Sequence, residues 1–417
     1  MDRCPVVHFD QHSTAYAEDP YGAYRQARQE TPVFWTDAHG GFWVVTRFED
    51  VAAAARDEET FSSFKDMNRT TESYSGVSIP PSPTRQLPID LDPPLLQKHR
   101  KLLASRMAPP RARAMRPIYR EWTDHFIDRF IETGVVEFVE QVATPVPTMA
   151  TLAFLGLPLS DHHLYSGPFH DIAAYPKGTA GFARAVDGMA GCMERVAEEV
   201  TDRRRHPRDD AISELVQGEI DGVPLSDEDV LDWIRLILGG GIDTTTSLIA
   251  HSLVYLDARP DLRQPLATGP EALSLFMEEM LRVATPTQAL GRTATRDVEL
   301  GGAQIREGDR VLLSWASANR DSRVFARPDD IQIDRTPNPH TTFGLGPHRC
   351  IGSHFARVEY LVVMERILTR LPDFRLSDRP RPYESIGLVN GWREVRATFS
   401  PGPSLDVPLR TSIEEVV

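Results

Sequence analysis

One ten-residue stretch restricts this chain more than any other: Phe343-Gly-Leu-Gly-Pro-His-Arg-Cys-Ile-Gly352. Three glycines among ten residues rule out a strong helix or a central strand, because glycine loses the most backbone freedom on ordering and packs nothing. They suit a tight loop in which backbone comes close to a flat ligand. Directly afterwards, Ser353 to Leu371 carries Phe355, Val358, Val362 and Ile367 at helical spacing. Cys350 is therefore expected at a helix N-terminus, where free amides and the positive dipole end stabilise a thiolate. Neither Ile351 nor Gly352 is proline, so both keep an N–H for the sulfur. A lone cysteine at a helix start is ordinarily a small buried residue; the glycine pattern sets this one apart. Cys4 and Cys192 have no such setting and read as structural or incidental.

The rest of the chain reads as mainly α with a minor β part, in one folding unit covering residues 1–417. Asp19 to Arg28 and Asp50 to Arg56 read as early helices, with Val33 to Trp35 and Gly41 to Thr46 as a hairpin between them. Ser62 to Leu87 is rich in Ser, Thr and Pro, a composition that inside a compact protein marks a functional loop. Pro109 to Leu371 is mostly helical, interrupted by strand character over Val298 to Leu313, and Phe374 to Leu409 returns to short strands. A formal net charge of −14 argues against non-specific nucleic-acid binding. The apolar windows are too short for a membrane span, and the first ten residues have no signal-peptide core, so a cytoplasmic location is expected. Three cysteines without a Cys-x-x-Cys exclude a disulfide framework and a four-thiolate metal site.

Two further segments call for an explanation. Trp233 to Ser252 reads as one helix, apolar on both flanks, with Gly239-Gly-Gly241 in its middle. Each such glycine costs about 1 kcal/mol relative to alanine. Thr244 lies four residues after Gly240, where its hydroxyl can bond the carbonyl and bend the helix. Glu279-Met-Leu-Arg282 puts opposite charges on one helix face; by itself this is a solvated pair of about 0.3 kcal/mol.

The cysteine segment matches Phe-x-x-Gly-x-x-x-Cys-x-Gly, the haem-binding signature of the cytochrome P450 superfamily, through Phe343, Gly346, Cys350 and Gly352. Gly240-Gly-Ile-Asp-Thr-Thr245 resembles the family's Ala/Gly-Gly-x-Asp/Glu-Thr-Thr/Ser. The blocks run in the family's order from about Leu91 to Gly352, so the resemblance covers nearly the whole chain. It implies a P450 fold with haem b between a long distal helix and the proximal loop, and Cys350 on the iron. It also implies a dioxygen cavity at the glycines, with Gly240 against the haem, Thr244 holding the oxygen's hydrogen bonds and Asp243 feeding protons. Glu279 and Arg282, completed by Arg335, are implied as support for the haem loop. Arg292, His348 and Arg100 are implied as propionate partners, an arginine fork suiting a carboxylate better than a lysine. One departure stands out: Leu96 occupies a position where many members carry His or Gln. His99 is a poor replacement, because adjacent helix positions point about 100° apart.

By the same resemblance the chain is a monooxygenase using dioxygen and electrons from a ferredoxin and its NAD(P)H-dependent reductase. It reads as a monomer of the unfused, anchorless, bacterial kind. Lys98, Arg100, Lys101, Arg106, Arg111, Arg113, Arg349 and Arg357 would form a basic patch for an acidic ferredoxin. Leu236, Ala289, Leu290 and Val389 are expected against the substrate, beside the polar 62–87 loop. That mixture suits a mid-sized hydrophobic molecule such as a terpenoid, steroid or polyketide. Two rivals are a same-fold enzyme performing oxidative coupling or desaturation, or using peroxide, and a haem sensor without turnover. Retention of Asp243 and Thr244 favours dioxygen activation over the first, and a sensor has no use for a proton relay.

Overall fold

Helices form in this chain where a capped start meets an apolar face. A computed structural model describes residues 8–69 and 73–411; Cys4 lies outside the described residues. The helices that build the site are α1 (Pro20–Glu30), α2 (Phe48–Arg56), α3 (Leu95–Leu102), α4 (Arg116–Asp128), α5 (Pro145–Leu155) and α6 (His162–Ala174). They continue with α7 (Ala180–Arg205), α8 (Asp227–Gly241), α9 (Asp243–Ala258), α10 (Pro270–Ala284) and α11 (Ser353–Arg370). The strands used below are β1 (Val33–Thr36), β2 (Phe42–Val45), β3 (Phe61–Ser62), β4 (Val135–Glu137), β5 (Ala289–Ala294), β6 (Arg310–Ser314), β7 (Arg375–Leu376) and β8 (Arg396–Thr398). The architecture is mainly helical with a smaller β part. Among the described residues, no helix is long and apolar enough to cross a membrane.

α5 lies at the centre of the main core. It is apolar nearly all round and almost wholly buried, as a helix with no polar face must be. α6, α8 and α9 pack around it. α8 starts with a reciprocal cap: the Ser226 hydroxyl accepts from the Asp229 amide, and the Asp229 carboxylate accepts from the Ser226 amide. Its apolar face buries Val230, Trp233, Ile234 and Leu238.

The helix expected over Trp233 to Ser252, bent by Thr244, is divided into two by that bend. The backbone breaks at Ile242 (φ −77°, ψ −66°), between α8 and α9. The cause is side-chain competition for carbonyls: the Thr244 hydroxyl donates to Gly240 O at 2.8 Å, and the Thr246 hydroxyl to Ile242 O and Ala143 O, each at 3.0 Å.

The larger sheet has the order β1-β2-β6-β5-β3, with β2 and β6 parallel and the other pairs antiparallel. β1 and β2 form the expected hairpin, with Val33 opposite Val45 and Thr36 opposite Phe42. Strand structure begins earlier than the sequence suggested, at Ala289, so Arg292 sits inside the sheet opposite Val311. Gly291 hid that strand, and its reason is a close approach: a Cβ there would lie 2.7 Å from Gly76 O. The Gly291 amide donates to Val77 O at 2.7 Å. The 62–87 loop is thereby fastened to β5. Arg85 straps it to α8, pairing with Asp229 at 2.7 Å and with Asp232. A three-stranded sheet, β7-β8-β4, ties the C-terminal part to the chain ahead of α5.

Candidate active site

The loop before α11 is held by its own backbone. The Cys350 amide donates to Phe343 O at 2.7 Å, across a single helical turn at Gly346–His348. Gly344 and Gly346 have φ of 69° and 68°, the left-handed region that glycine adopts freely. At Gly346 a side chain would also run into the Ala55 carbonyl of α2. The Gly352 amide donates toward the Cys350 sulfur, just ahead of Ser353. Burial pushes the Cys350 thiol up, opposed by that amide and by the charges of Arg100, Arg357 and Arg349. Arg357 lies 4.4 Å over the Phe343 ring and pairs with Glu278 at 2.6 Å, which clamps the loop's first residue.

Three groups singled out in the sequence converge beside this loop. Arg100 of α3 donates to Arg349 O at 2.9 Å, and its charge reaches Cys350. Arg292 is buried, and its hydrogen bond runs to the neighbouring Gly291 O at 2.7 Å. Burial pulls its guanidinium down to about 10, against the more distant carboxylates of Asp92 and Asp90. His348 is pushed down to about 2, first by burial and then by the positive charges of Arg292 and Arg100. Its Nε2 lies 3.1 Å from the Ser63 hydroxyl, while Nδ1 is buried without a partner among the described residues. No carboxylate among the described residues forms an ion pair with Arg100 or Arg292. Ser63, which the sequence reading missed, lies in the polar loop, 285 positions from His348. Leu96 is buried, and the His99 ring is committed elsewhere: it accepts from Trp233 Nε1 at 3.2 Å and stacks on that indole.

The α8–α9 break presents a second surface. Nothing stands within 4 Å of a Cβ position at Gly239 or Gly240, whereas a Cβ at Gly241 would lie 2.5 Å from Thr151 Oγ1. The three glycines thus serve two purposes: two face open space beside Thr244, and the third lets α8 press on α5. Asp243 is buried, with two partners the sequence did not suggest. His170 Nδ1 lies 2.9 Å from Asp243 Oδ1, and the Tyr383 hydroxyl donates to the same oxygen at 2.7 Å. A lone histidine in α6 and a tyrosine in a C-terminal loop give no local signal that they meet Asp243.

Glu279 and Arg282 prove to be a buried hub, so the solvated-pair value does not apply. Both side chains are 0% exposed, paired through bonds of 2.7 and 2.8 Å. Arg335 donates to both Glu279 oxygens at 3.1 Å, and the Gln332 amide and Asn338 side chain add further donors. Arg282 also donates to the carbonyls of Asn319, Pro328 and Asp330, pinning the chain that leads into the cysteine loop.

The residues expected against substrate separate. Ala289 and Val389 share a buried cluster with Ile79, Ala173 and Ala174. Leu290, next along β5, points to the opposite face and packs against the cluster of Val45, Val311 and Trp315. Leu236 is half-buried on α8 and belongs to neither.

This donor set fits a haem. A sulfur on an amide-lined loop, open glycine backbone at α8, and two arginines with an orphaned imidazole nitrogen match an iron ligand, a flat ring and two carboxylates. Comparison with known proteins agrees. The Cytochrome P450 family model matches residues 271–390. The steroid C26-monooxygenase of Mycolicibacterium smegmatis is 32% identical over 383 residues, covering 91% of this chain and 92% of that one. Linalool 8-monooxygenase of Pseudomonas putida is 30% identical, covering 92% and 96%. The structure of a Mycobacterium marinum cytochrome P450 in complex with pseudoionone superposes with a TM-score of 0.85 at 28% identity, over 96% of this chain and all of that one. The chain belongs to the cytochrome P450 family. It is an oxidoreductase of the monooxygenase type, a class that uses a haem-thiolate cofactor, dioxygen and redox partners.

Proposed function

We propose that residues 1–417 act as one cytoplasmic haem b monooxygenase domain that hydroxylates or epoxidises a mid-sized hydrophobic molecule. Bound on Cys350, the haem would supply dioxygen activation and the insertion of one oxygen atom into substrate. Arg100, Arg292 and His348 would hold its propionates, and Gly240, Phe343, Gly346 and Gly352 would let backbone lie close to it. The Gly352 amide tempers the sulfur's electron density. Thr244 offers its hydroxyl to the oxygen, and Asp243 supplies the proton. Glu279, Arg282 and Arg335 keep the loop in register.

The polar, strapped 62–87 loop above the apolar pair Ala289 and Val389 supports a substrate with a hydrophobic body and few polar groups. The steroid, linalool and pseudoionone in the names of the related proteins are of that kind. A ferredoxin with an NAD(P)H-dependent reductase would serve as electron source, and the protein would act as a monomer. Of the eight cations first assigned to the docking patch, Lys98, Arg106 and Arg357 are paired with acids inside the chain. Lys101, Arg111, Arg113 and Arg349 are exposed without an ion pair among the described residues, and they carry the patch.

The single observation that carries this reading is the Cys350 sulfur beside an amide, on a loop approached by Arg100 and Arg292, neither of which forms an ion pair with a carboxylate among the described residues. The test is the absorption spectrum of the reduced protein with carbon monoxide, for wild type and Cys350→Ser. A strongly red-shifted Soret band that the substitution abolishes is expected. Absence of haem, or identical spectra, would refute haem-thiolate ligation.

A further inference from the structure

Asp243 opens α9 at the helix break, and two distant segments reach it. His170 comes from α6. Tyr383 comes from the loop between Arg381–Pro382 and Trp392–Glu394, where its amide donates to Gly391 O at 3.1 Å. Gly391 is required there, since a Cβ would lie 2.6 Å from the Tyr383 ring. The two rings meet edge to face at 5.3 Å, and the Tyr383 hydroxyl is 3.0 Å from His170 Nδ1. All three side chains are buried.

The pattern of bonds differs from that of a structural ion pair. At Glu279 both carboxylate oxygens are saturated by donors. At Asp243 both donors converge on Oδ1, while Oδ2 is buried with no partner among the described residues. His170 Nε2, at the far end of the cluster, is likewise buried with no partner among the described residues. Most buried polar atoms are hydrogen-bonded, as those of Glu279 are. The Asp243 cluster leaves a single carboxylate oxygen free to take up and release a proton, next to Thr244.

We propose that His170 and Tyr383 are positioning residues for the monooxygenase reaction: they pin Asp243 through Oδ1, so that Oδ2 alone carries protons, and the charge of His170 sets how readily it does so. This rests on the reading of Asp243 as proton donor. The groups facing His170 are Asp243 on α9, Tyr383, Asp171 on its own helix and Glu137 on β4. Burial disfavours the imidazolium, but the Asp243 hydrogen bond and the charges of Asp243, Asp171 and Glu137 outweigh it, and the proton affinity of His170 is raised. His170 Nδ1 lies 2.9 Å from Asp243 Oδ1, so a charge on the imidazole acts directly on that carboxylate.

The test uses the haem-loaded, carbon-monoxide-bound protein with isotope-labelled histidine. The His170 ring is followed by NMR against pH in wild type, Asp243→Asn and Tyr383→Phe. The titration midpoint is expected to fall in Asp243→Asn; an unchanged midpoint overturns the proposal whatever reaction the protein performs. In parallel, dioxygen uptake is measured against pH with pseudoionone as probe and a surrogate ferredoxin and reductase. His170→Gln, which keeps an N–H donor but no charge, is expected to lose the wild-type inflection associated with His170. Tyr383→Phe is expected to slow uptake about tenfold, the effect of losing one hydrogen bond to a charged group. Both variants should keep the wild-type carbon-monoxide spectrum. A His170→Gln profile identical to wild type overturns the proposal. No uptake by wild type shows only that pseudoionone is not turned over, and the His170 midpoint in Asp243→Asn then decides the proposal by itself.

Discussion

Changing Gly240 or Gly241 to alanine is the same chemistry one residue apart, and the structure assigns the two changes opposite signs. Alanine is favoured over glycine by about 1 kcal/mol inside a helix. At Gly240 nothing lies within 4 Å of the new Cβ, so that gain stands. At Gly241 the Cβ would lie 2.5 Å from Thr151 Oγ1, 3.2 Å from its Cγ2 and 3.5 Å from its Cβ. Swapping rotamers only exchanges one of these branches for the other. The hydroxyl also donates to Pro147 O at 2.8 Å, so displacing it loses that bond. Overpacking of about 1–3 kcal/mol plus a hydrogen bond of about 1 kcal/mol, less the helix gain, leaves Gly241→Ala about 1–3 kcal/mol less stable. Urea unfolding of the haem-free chain, followed by far-UV circular dichroism, should show a lowered midpoint for Gly241→Ala and a raised one for Gly240→Ala. Adding Thr151→Ala should restore part of the Gly241→Ala loss, a coupling that a double-mutant cycle reads directly. A Gly241→Ala midpoint at or above wild type, or strict additivity with Thr151→Ala, would show that α8 does not rest on α5 through this contact.

Three further outcomes follow from the same geometry. Glu279→Gln leaves Arg282 and Arg335 buried without their counter-charge, at a cost of about 3–5 kcal/mol, and should sharply lower the yield of folded, haem-binding protein. Arg292→Met should raise the unfolding midpoint of the haem-free chain by removing a buried, poorly paired guanidinium, yet speed haem loss about tenfold or more, measured by transfer to a haem acceptor. Glu278 is held down at about 2 because His340 and Arg357 outweigh the burial that opposes its charge. Its contribution is therefore present above the ordinary carboxylate range and is lost as pH falls toward 2. Glu278→Gln should lower stability at neutral pH and flatten the acid limb of the stability curve between about pH 4 and 2, while leaving the alkaline limb unchanged.

What the sequence determined by itself was local chemistry and order along the chain. The loop from Phe343 to Gly352 is legible because glycine spacing, a cysteine and the following helical period lie within thirty residues or so. The Thr244–Gly240 bond is legible for the same reason: four residues along a helix fix which groups can meet. The β1–β2 hairpin also follows from neighbouring residues. Where the sequence reading missed, the deciding partner was remote. Beyond the break at Ile242, Thr246 bonds the carbonyl of Ala143, 103 positions away, and Gly241 is small because of Thr151, 90 positions away. The strand at Ala289 was hidden by a glycine whose purpose is the carbonyl of Gly76. Only the tertiary structure decided that Glu279 and Arg282 are buried, that three of the eight basic residues are neutralised internally, and that Leu290 turns from Ala289. It alone brought His170 and Tyr383, 73 and 140 residues from Asp243 in the chain, onto one carboxylate oxygen. The physical reason is common to all of these: burial and charge pairing depend on what the fold places opposite a side chain, and sequence periodicity reports only which way that side chain faces.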